Sequence, residues 1–421
     1  MLSLFKDSPE YEARKARPFS PTKVTISEVH AVVPKHLFQK SFFTACLYIA
    51  RDVLSAVALY KLGWQIEPLA ASLVNDYGAP AYVGTIAKWG GWSVYWVCQS
   101  VVLAGWWCMA HEAGHGNVSN KKWLNNLTGF LLHTFVLAPY FAWRSTHHSH
   151  HKATVSIERD ENYVPRTRSD FKLPSESVAR AVDYHELFEE TPIYTAARML
   201  LMQLLGWQIY LCLDTMGSPR HPKGTNHFSP SSSLFKPHER NGIIASNIGL
   251  TVMCCILYMW TQTVGLPAFL KLYFVPYILL NHWIVMLTYL HHSDPTIPMY
   301  RNRQWSYLRG ALSTVDRPLL GWAGRVYFHN VSHDHIAHHL FSNIAWYNQP
   351  YVTEELKKLL GVEYNSDSTN TFRALYRTFT QCCFVEDEGD IVFYKNQHGK
   401  AARELAPDAL DRPTVVAKKV D

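Results

Sequence analysis

Histidine is the residue type in this chain whose number and spacing most directly suggest chemistry. Of the 22 histidines, nine lie in three short clusters, HEAGH, HHSHH and HIAHH, and eight of these nine share a regular spacing. Positions i, i+3 and i+4 share one face of an α-helix. The histidines with this spacing are His111, His115, His147, His150, His151, His335, His338 and His339. Random placement would give about 0.06 HxxHH triples in such a chain. Two are present, so chance is a poor explanation.

The clustered imidazoles predict a metal site. Neutral imidazole is a ligand suited to zinc, copper, iron and nickel. Eight imidazoles are too many for one ion, so we expect two metal ions. Because the three clusters lie far apart along the chain, folding must bring them together.

Four carboxylates lie in or near the clusters, and we expect them to support the histidines rather than to bind metal. A carboxylate that accepts a hydrogen bond from a ligand imidazole fixes its tautomer and orientation. The candidates are Glu112, Glu158, Asp160 and Asp334. For each of them a surface ion pair is the alternative interpretation.

The elements that carry the clusters are predicted to be membrane helices. Apolar runs occupy residues 41–60, 90–110, 123–143, 199–213, 245–270 and 272–290. About 20 apolar residues cross a bilayer as a helix. The clusters at 111–115 and 147–151 follow the second and third runs, and His291 and His292 end the sixth. Most of the candidate ligands therefore stand at membrane boundaries.

A shared metal site restricts how many runs can cross the membrane. Histidines that meet must lie on one side, so an even number of crossings separates any two of them. Run 123–143 should therefore be interfacial, re-entrant or a short hairpin, and run 199–213 interfacial. We predict an all-α integral membrane protein with about four transmembrane helices, interfacial helices and a helical cap that holds the metals. Both termini should lie on the histidine side.

The same pattern divides the chain into three parts. Residues 1–40 are predicted to be an N-terminal segment whose first 22 residues form a flexible tail. Residues 41–345 should form the membrane domain and residues 346–421 a C-terminal tail. The N-terminus lacks the apolar stretch of a cleaved signal peptide.

Composition excludes some other classes. Charged residues make up 18% of the chain and apolar residues 48%, with a net charge of +6. This balance suits a membrane protein with one face on anionic lipid. No stripe of basic and aromatic residues indicates nucleic-acid binding. The eight cysteines include no CxxC pair, and we interpret them as buried free thiols.

Histidine-held metals at a membrane face indicate oxidation of a lipid. Removal of hydrogen from an unactivated methylene requires a stronger oxidant than amino-acid side chains provide, and an iron–oxygen species supplies one. Such a site must also exclude water.

Several motifs resemble the membrane fatty-acid desaturases, specifically their fungal and plant-type Δ12 (oleate) group. They are Pro34–Ser41 (PKHLFQKS), Trp143-Arg144, Glu158–Glu161 (ERDE), Leu308–Arg317 (LRGALSTVDR) and Phe328-His329-Asn330. The resemblance covers roughly residues 23 to 396. It adds His292, which falls on a histidine of the family segment before the third cluster, as a ninth metal ligand.

The resemblance also implies cofactors, partners and a location. It implies two iron ions, O2 as co-substrate, and electrons from a separate cytochrome b5 and its NADH reductase. The substrate would be an acyl-lipid or an acyl-CoA, within a lipid membrane. The terminal Lys418-Lys419-Val420-Asp421 resembles a retrieval signal of the endoplasmic reticulum. We therefore expect a multi-pass protein of that membrane, with its termini and histidine clusters in the cytosol.

Several departures from the family pattern leave the product open. Ala113 replaces a usual cysteine, His333-Asp334 replaces an Asp-Thr pair, and residues 345–349 differ from a usual Pro-His-Tyr-His-Ala. The main hypothesis is insertion of a Δ12 double bond into oleoyl chains to give linoleoyl chains. The alternatives are an acetylenase, conjugase, hydroxylase or epoxygenase acting at the same position, and a non-catalytic membrane metal-binding protein.

Overall fold

The structure, a computed structural model, describes residues 5–410, which are mostly helical with almost no sheet. The helices are α1 (Pro9–Ala16), α2 (Ile26–Ala31), α3 (Phe42–Asn75), α4 (Ala81–Gly114), α5 (Lys122–Phe135), α6 (Tyr140–His151), α7 (Ala181–Phe188), α8 (Pro192–Leu213), α9 (Arg240–Val264), α10 (Leu266–Phe269), α11 (Val275–His292), α12 (Tyr307–Leu312), α13 (Gly321–Tyr327), α14 (His335–Leu340), α15 (Gln349–Leu360) and α16 (Thr371–Gln381). Two short strands, β1 (Met299–Tyr300) and β2 (Ile391–Val392), pair antiparallel.

Five helices of the described chain are long and apolar enough to cross a membrane. They are α3, α4, α8, α9 with the turn before it, and the continuous helix Leu266–His292. Helices α3 and α4 have 34 residues each, a length of about 51 Å at 1.5 Å per residue. A hydrocarbon core is only about 30 Å thick. Both helices must therefore project beyond the membrane, and the projecting end of α4 carries His111 and His115.

The third apolar run forms a hairpin of two short helices, as one of the predicted options had it. Helix α5 has 14 residues and α6 has 12. Each is shorter than the roughly 20 residues that a crossing requires. The turn between them contains Pro139, which cannot donate a backbone hydrogen bond. The hairpin returns the chain to the side on which it started.

The fifth apolar run is not one segment, and this corrects its predicted boundary at residue 270. The chain turns at Gly265, where φ is +84°, a value that favours glycine. Leu266 and Pro267 then begin the next helix, since proline is well tolerated in a first helical turn. A π-helical segment, Leu270–Phe274, joins α10 to α11 without a break. The last two runs are thus two successive helices joined at Gly265.

Helix α8 is longer than the apolar run 199–213 suggested, because it begins at Pro192 and has 22 residues. Three of the five long helices now lie between the second histidine cluster and His292. His150 and His292 meet, with their Nε2 atoms 3.4 Å apart, so an even number of the three crosses the membrane. The hairpin of α9 and Leu266–His292 supplies two crossings. An interfacial position for α8 therefore stays our prediction.

Residues 5–22 are ordered, and the prediction of a flexible tail was wrong for them. The Ser8 side chain caps α1, and Tyr11 and Arg14 on that helix are 1% and 4% exposed. Asp7 forms ion pairs with Arg373 and Arg377. These two arginines lie more than 350 residues from Asp7 in the sequence, so no local pattern could reveal this packing. N- and C-terminal segments together build the cap over the histidine ends of the long helices.

The cysteines are free, as predicted, but most are not buried. Cys108 is buried, whereas Cys98, Cys212, Cys254 and Cys255 are exposed. These four lie on α4, α8 and α9, whose apolar outer faces suit contact with lipid rather than water. The predicted domain boundaries at residues 40 and 345 stay predictions, and the Lys418–Asp421 signal lies outside the described residues.

Candidate metal centre

The nine predicted histidines come together at one place beneath the cap. His111 and His115 lie at the end of α4, His147, His150 and His151 on α6, His292 at the end of α11, and the remaining three on α14. All three clusters are helical, so the i, i+3, i+4 spacing directs each set of imidazoles to one side. Four separate helix segments thus converge on a common centre.

The imidazoles sort into two groups. The first is His111, His115, His147, His151 and His338, and the second contains His150, His292 and His339. Within each group the nitrogen atoms lie within 4.8 Å of one another. His335 joins the second group, since its Nε2 atom is 3.0 Å from that of His292. The result is one five-histidine group and one four-histidine group.

The spacing within the groups fits imidazoles arranged around metal ions. The Nε2 atom of His147 lies 3.0 Å from that of His115 and 3.1 Å from that of His151. Two nitrogens that each bind one ion at about 2.0–2.1 Å stand roughly 3.0–3.4 Å apart at ordinary coordination angles. Among the described residues, the buried Nε2 atoms of His338 and His339 have no hydrogen-bond partner. A metal ion in each group would satisfy these nitrogens.

Burial keeps the cluster in the protonation state that metals require. It lowers the pKa of His338 to about 3 and holds the pKa values of His147, His151, His335 and His339 well below the usual range. Imidazole must be neutral to bind a metal ion. These five side chains are therefore neutral at neutral pH and able to act as ligands.

Two of the four carboxylate candidates contact the histidines. Asp160 Oδ1 accepts a hydrogen bond from His150 Nδ1 at 2.7 Å, and its carboxylate also accepts from the backbone N–H groups of Val155 and Asn162. Glu112 lies 3.1 Å from His111 Nδ1 and 3.5 Å from His338 Nδ1. Both carboxylates touch the nitrogen that points away from the group, which leaves Nε2 for a metal.

The other two candidates have different partners. Glu158 accepts from the backbone N–H of Asn302 and lies 3.8 Å from Arg301. Asp334 pairs with Arg325 at 3.0 Å. Among the contacts of the described residues, neither carboxylate reaches an imidazole of the nine histidines. The expectation that they orient ligands is therefore corrected: proximity in sequence does not fix the direction of a side chain in a loop.

Neighbouring histidines outside the nine have protein partners instead. His148 Nε2 lies 3.0 Å from the Gly114 carbonyl. His291 Nδ1 donates to the Val315 carbonyl at 2.6 Å, and its Nε2 lies 3.1 Å from Ser332 Oγ. These contacts use both ring nitrogens of His291 and explain why an adjacent pair, His291-His292, contributes only one member to the cluster.

The first cluster also matches the HExxH pattern in which zinc proteases use the glutamate as general base. The geometry argues against that role here. Glu112 is hydrogen-bonded by Asn117 Nδ2 at 2.7 Å and lies on the Nδ1 side of His111. It is thus held behind the ligands rather than beside a metal-bound water. A protease site would also need only three protein ligands, whereas nine imidazoles converge in this chain.

A cavity of about 540 Å³ opens beside the histidines. Five of them line it: His111, His147, His150, His292 and His335. Its walls are mainly aromatic and aliphatic, and include Trp107, Trp143, Trp207, Ile284 and Leu287. Small-molecule sites commonly have volumes of about 300–1,000 Å³. An apolar chain of matching size could lie against the metal groups.

Two wall residues that the sequence did not single out contact the ligands directly. Trp143 stacks on His147, with ring centroids 4.4 Å apart, and Tyr163 stacks on His292 at 5.1 Å. Tyr163 has a φ of +59°, which is rare for a bulky residue and is found mostly at functional sites. Trp143 does belong to the Trp-Arg motif before the second cluster, so the motif was a usable signal for it.

The fold and the histidine-lined cavity agree with a family match. Residues 90–368 match the model of the fatty acid desaturase family, and the chain belongs to that family. A Δ12 fatty acid desaturase from Mortierella isabellina is 38% identical over 376 residues, covering 88% of this chain and 90% of the relative. An endoplasmic-reticulum omega-6 fatty acid desaturase from Brassica juncea is 33% identical, covering 90% and 92%. An oleate hydroxylase from Claviceps purpurea is 32% identical, covering 92% and 84%.

Proposed function

We propose that this protein inserts a Δ12 double bond into oleoyl chains and so forms linoleoyl chains. The observation that carries the proposal is the apolar cavity that ends on both histidine groups. The identity of the Mortierella and Brassica relatives, which are named as Δ12 and omega-6 desaturases, supports the position of the bond.

We propose two iron ions as the cofactor. The five-histidine group and the four-histidine group would each hold one ion through Nε2 atoms. Iron is favoured over zinc because desaturation is an oxidation and zinc has no redox chemistry. Bound iron would activate O2 for removal of two hydrogens from adjacent carbons. With two electrons and two protons supplied from outside, the reaction balances as one new C=C bond and two waters.

The protein's own residues would position the chain and keep water away. Trp107 and Trp143 form part of the wall beside His111 and His147, and their rings exclude solvent from the reacting carbons. The side chains of His111 and His339 are 2% and 1% exposed. A dry site protects a strong oxidant from side reactions. Asp160 and Glu112 would hold the imidazoles in the ligating tautomer.

The proposed partners follow from the electron requirement. Cytochrome b5 and its NADH reductase would supply the electrons, and the acyl substrate would arrive as an acyl-lipid or as an acyl-CoA. We place the protein in the endoplasmic reticulum membrane, with the histidine groups and the cap in the cytosol. The endoplasmic-reticulum relative and the five long apolar helices support this location.

Expression in a yeast that makes no polyunsaturated fatty acids tests the proposal. Fatty-acid analysis should show linoleate at the expense of oleate. The His338→Ala variant should yield none, because it removes a ligand of the five-histidine group. The Glu158→Gln variant is a matched control, and its linoleate yield should stay near that of the unchanged protein. Unchanged lipids in well-expressed, membrane-inserted protein would contradict the proposal.

A different product, such as a hydroxyl or a triple bond, is the second candidate, and the hydroxylase relative keeps it open. The structure gives one reason to rank it lower. The unusual residues Ala113, Ala345 and Trp346 pack together in one buried cluster, and none of them lines the cavity. They therefore neighbour the site without shaping the space for the acyl chain. Feeding oleate and linoleate and searching for hydroxyl, epoxide or alkyne products tests this candidate.

A further inference from the structure

A second cavity, of about 510 Å³, lies in the cap and has no lining residue in common with the histidine cavity. Three separate parts of the chain enclose it. Residues 17–24 form one wall, and Tyr300 with α12 forms another. The third consists of the end of α15, the turn after it and Arg403. Nothing in the proposed desaturation uses this space.

The lining of this cavity is strongly basic. Four cationic residues line it, and Glu363 is the single acidic one. The cationic residues are Arg17, Lys23, Arg309 and Arg403. Among residues 5–410, no carboxylate lies within ion-pair distance of Arg17, Lys23 or Arg403, whereas Arg14, Arg317 and Arg377 nearby are all paired. The cavity thus concentrates positive charge, and three of its cations have no ion-pair partner among the described residues.

Arg403 is the most unusual of these residues, because it is only 5% exposed. Its Nε donates to the Arg17 carbonyl at 2.7 Å and its Nη1 to the Thr296 carbonyl at 3.2 Å. The guanidinium carbon also lies 5.0 Å from the centre of the Phe19 ring. Burial, together with the nearby Arg17 and Arg14, lowers the pKa of Arg403 to about 10. A buried charge without an opposite partner is costly, so an anion at this position would stabilise the fold.

The remaining lining indicates what else the anion carries. Phe19, Val24, Leu312 and Leu359 line the same cavity. A bare inorganic ion would fill only a small part of about 510 Å³. Arginine forks match phosphate oxygens in a bidentate geometry. The cavity therefore suits a phosphate group attached to an apolar or aromatic body.

We propose that this cap cavity is a second binding site, which takes a phosphate-bearing small molecule through Arg17, Lys23 and Arg403. Its ligand would contact residues 17–24, the end of α15 and Arg403 at the same time, and so hold these three parts of the chain together. Occupancy would stabilise the cap that covers the metal centre. The phosphate could belong to a nucleotide or to a lipid headgroup, and both present the same chemistry to the arginines.

Thermal unfolding and direct titration of the purified full-length protein in detergent test the site. The probes are inorganic phosphate, adenosine 5′-diphosphate and a short-chain phosphatidate, each compared with sodium chloride at equal ionic strength. A ligand that binds only the folded state raises the unfolding temperature in a saturable way. We expect saturable binding of at least one probe. A nucleotide preference or a phosphatidate preference identifies the source of the phosphate.

Variants show whether binding occurs in this cavity. Arg17→Ala and Lys23→Ala change partly or fully exposed side chains and should each weaken binding about tenfold, since each loses a charge-assisted contact. Lys15→Ala, an exposed change on α1 outside the cavity, should leave the affinity unchanged. Arg403→Gln should abolish binding if it folds, and the first two variants decide the matter if it does not. Absence of saturable binding for all three probes, or equal weakening by Lys15→Ala, would overturn the proposal.

Discussion

At the scale of single residues, the metal centre depends on which nitrogen of each imidazole is engaged on its far side. The helical spacing pointed to eight candidate histidines, and the resemblance to a family segment pointed to His292. Both signals could be read from the sequence because each depends only on neighbouring residues. The partners of the far nitrogens were harder to predict. Asp160 and Glu112 contact His150 and His111, whereas Glu158 and Asp334 point to arginines. Their direction is set by the loops after α6 and before α14, which have no periodic pattern.

Asp160 gives the sharpest test at this scale. The Asp160→Asn change removes the charged acceptor of His150 and loosens two backbone contacts at Val155 and Asn162. Loss of such a partner typically costs about 10–100-fold in metal affinity or activity. Metal content per chain and linoleate yield should both fall by that order. Glu158→Gln, two residues away, should change neither by more than about twofold. Equal losses in both variants would show that the charge of this loop matters rather than the contact with His150.

At the scale of elements, the ends of two long helices, α4 and α11, and two short helices, α6 and α14, bring the nine histidines together. The apolar run 90–110 predicted a helix of about 20 residues, but α4 extends to Gly114. Its last turns carry His111 and Glu112 in a buried setting made by α6 and α14, which a hydropathy pattern cannot show. The crossing-parity argument was more powerful, because it used only the requirement that histidines meet. It predicted that run 123–143 is not a single crossing, and the α5–α6 hairpin is one of the three options that it left.

Packing of α4 against the cap can be tested with two glycines on the same helix. A Cβ atom at Gly105 would lie 2.5 Å from the Tyr327 carbonyl oxygen, whereas nothing lies within 4 Å of one at Gly90. Gly105→Ala should therefore force α13 away from α4 and destabilise the protein by about 1–3 kcal/mol. Gly90→Ala should be neutral or stabilising by up to about 1 kcal/mol. Thermal unfolding in detergent compares the two. A Gly105→Ala protein as stable as the Gly90→Ala protein would contradict the close contact.

At the scale of the whole molecule, a buried network of charged side chains joins the two ends of the chain in the cap that covers the histidines. Arg317 and Arg377 both pair with Asp367, and Arg317 and Arg14 pair with Asp294. Asp294 follows His292 by two residues, so the network is connected to the ligand-bearing end of α11. None of this was predictable from the sequence, because the partners come from α1, α16 and three loops.

Removing one member should be costly. Asp367→Asn leaves two buried arginines without their shared carboxylate, and loss of one partner from a buried pair typically costs about 3–5 kcal/mol. Breaking the exposed Glu354–Lys357 pair on α15 with Glu354→Gln should cost less than about 1 kcal/mol. Chemical denaturation of each full-length variant measures both stability losses, with the protease sensitivity of α1 as the signal for unfolding of the cap. A loss below about 1 kcal/mol for Asp367→Asn would contradict the role of this network.

The same network predicts acid sensitivity. Burial would raise the pKa of Asp367, but Arg317 and Arg377 outweigh it and hold that pKa below its usual range. A carboxylate whose folded pKa is lowered contributes stability above the unfolded pKa, and this contribution disappears as the pH falls through the folded value. The cap should therefore lose stability progressively below about pH 4. Cap unfolding followed against pH should show a smaller decline in the Asp367→Asn variant. Identical profiles would assign the decline to other groups.

The claim that nine histidines hold two iron ions is tested most directly by the metal content of the purified protein. Inductively coupled plasma mass spectrometry on protein expressed with iron should give about two irons per chain. His338→Ala from the five-histidine group and His339→Ala from the four-histidine group should each lower that number, by about one ion. One iron per chain, zinc in its place, or a content unchanged by both variants would contradict the account.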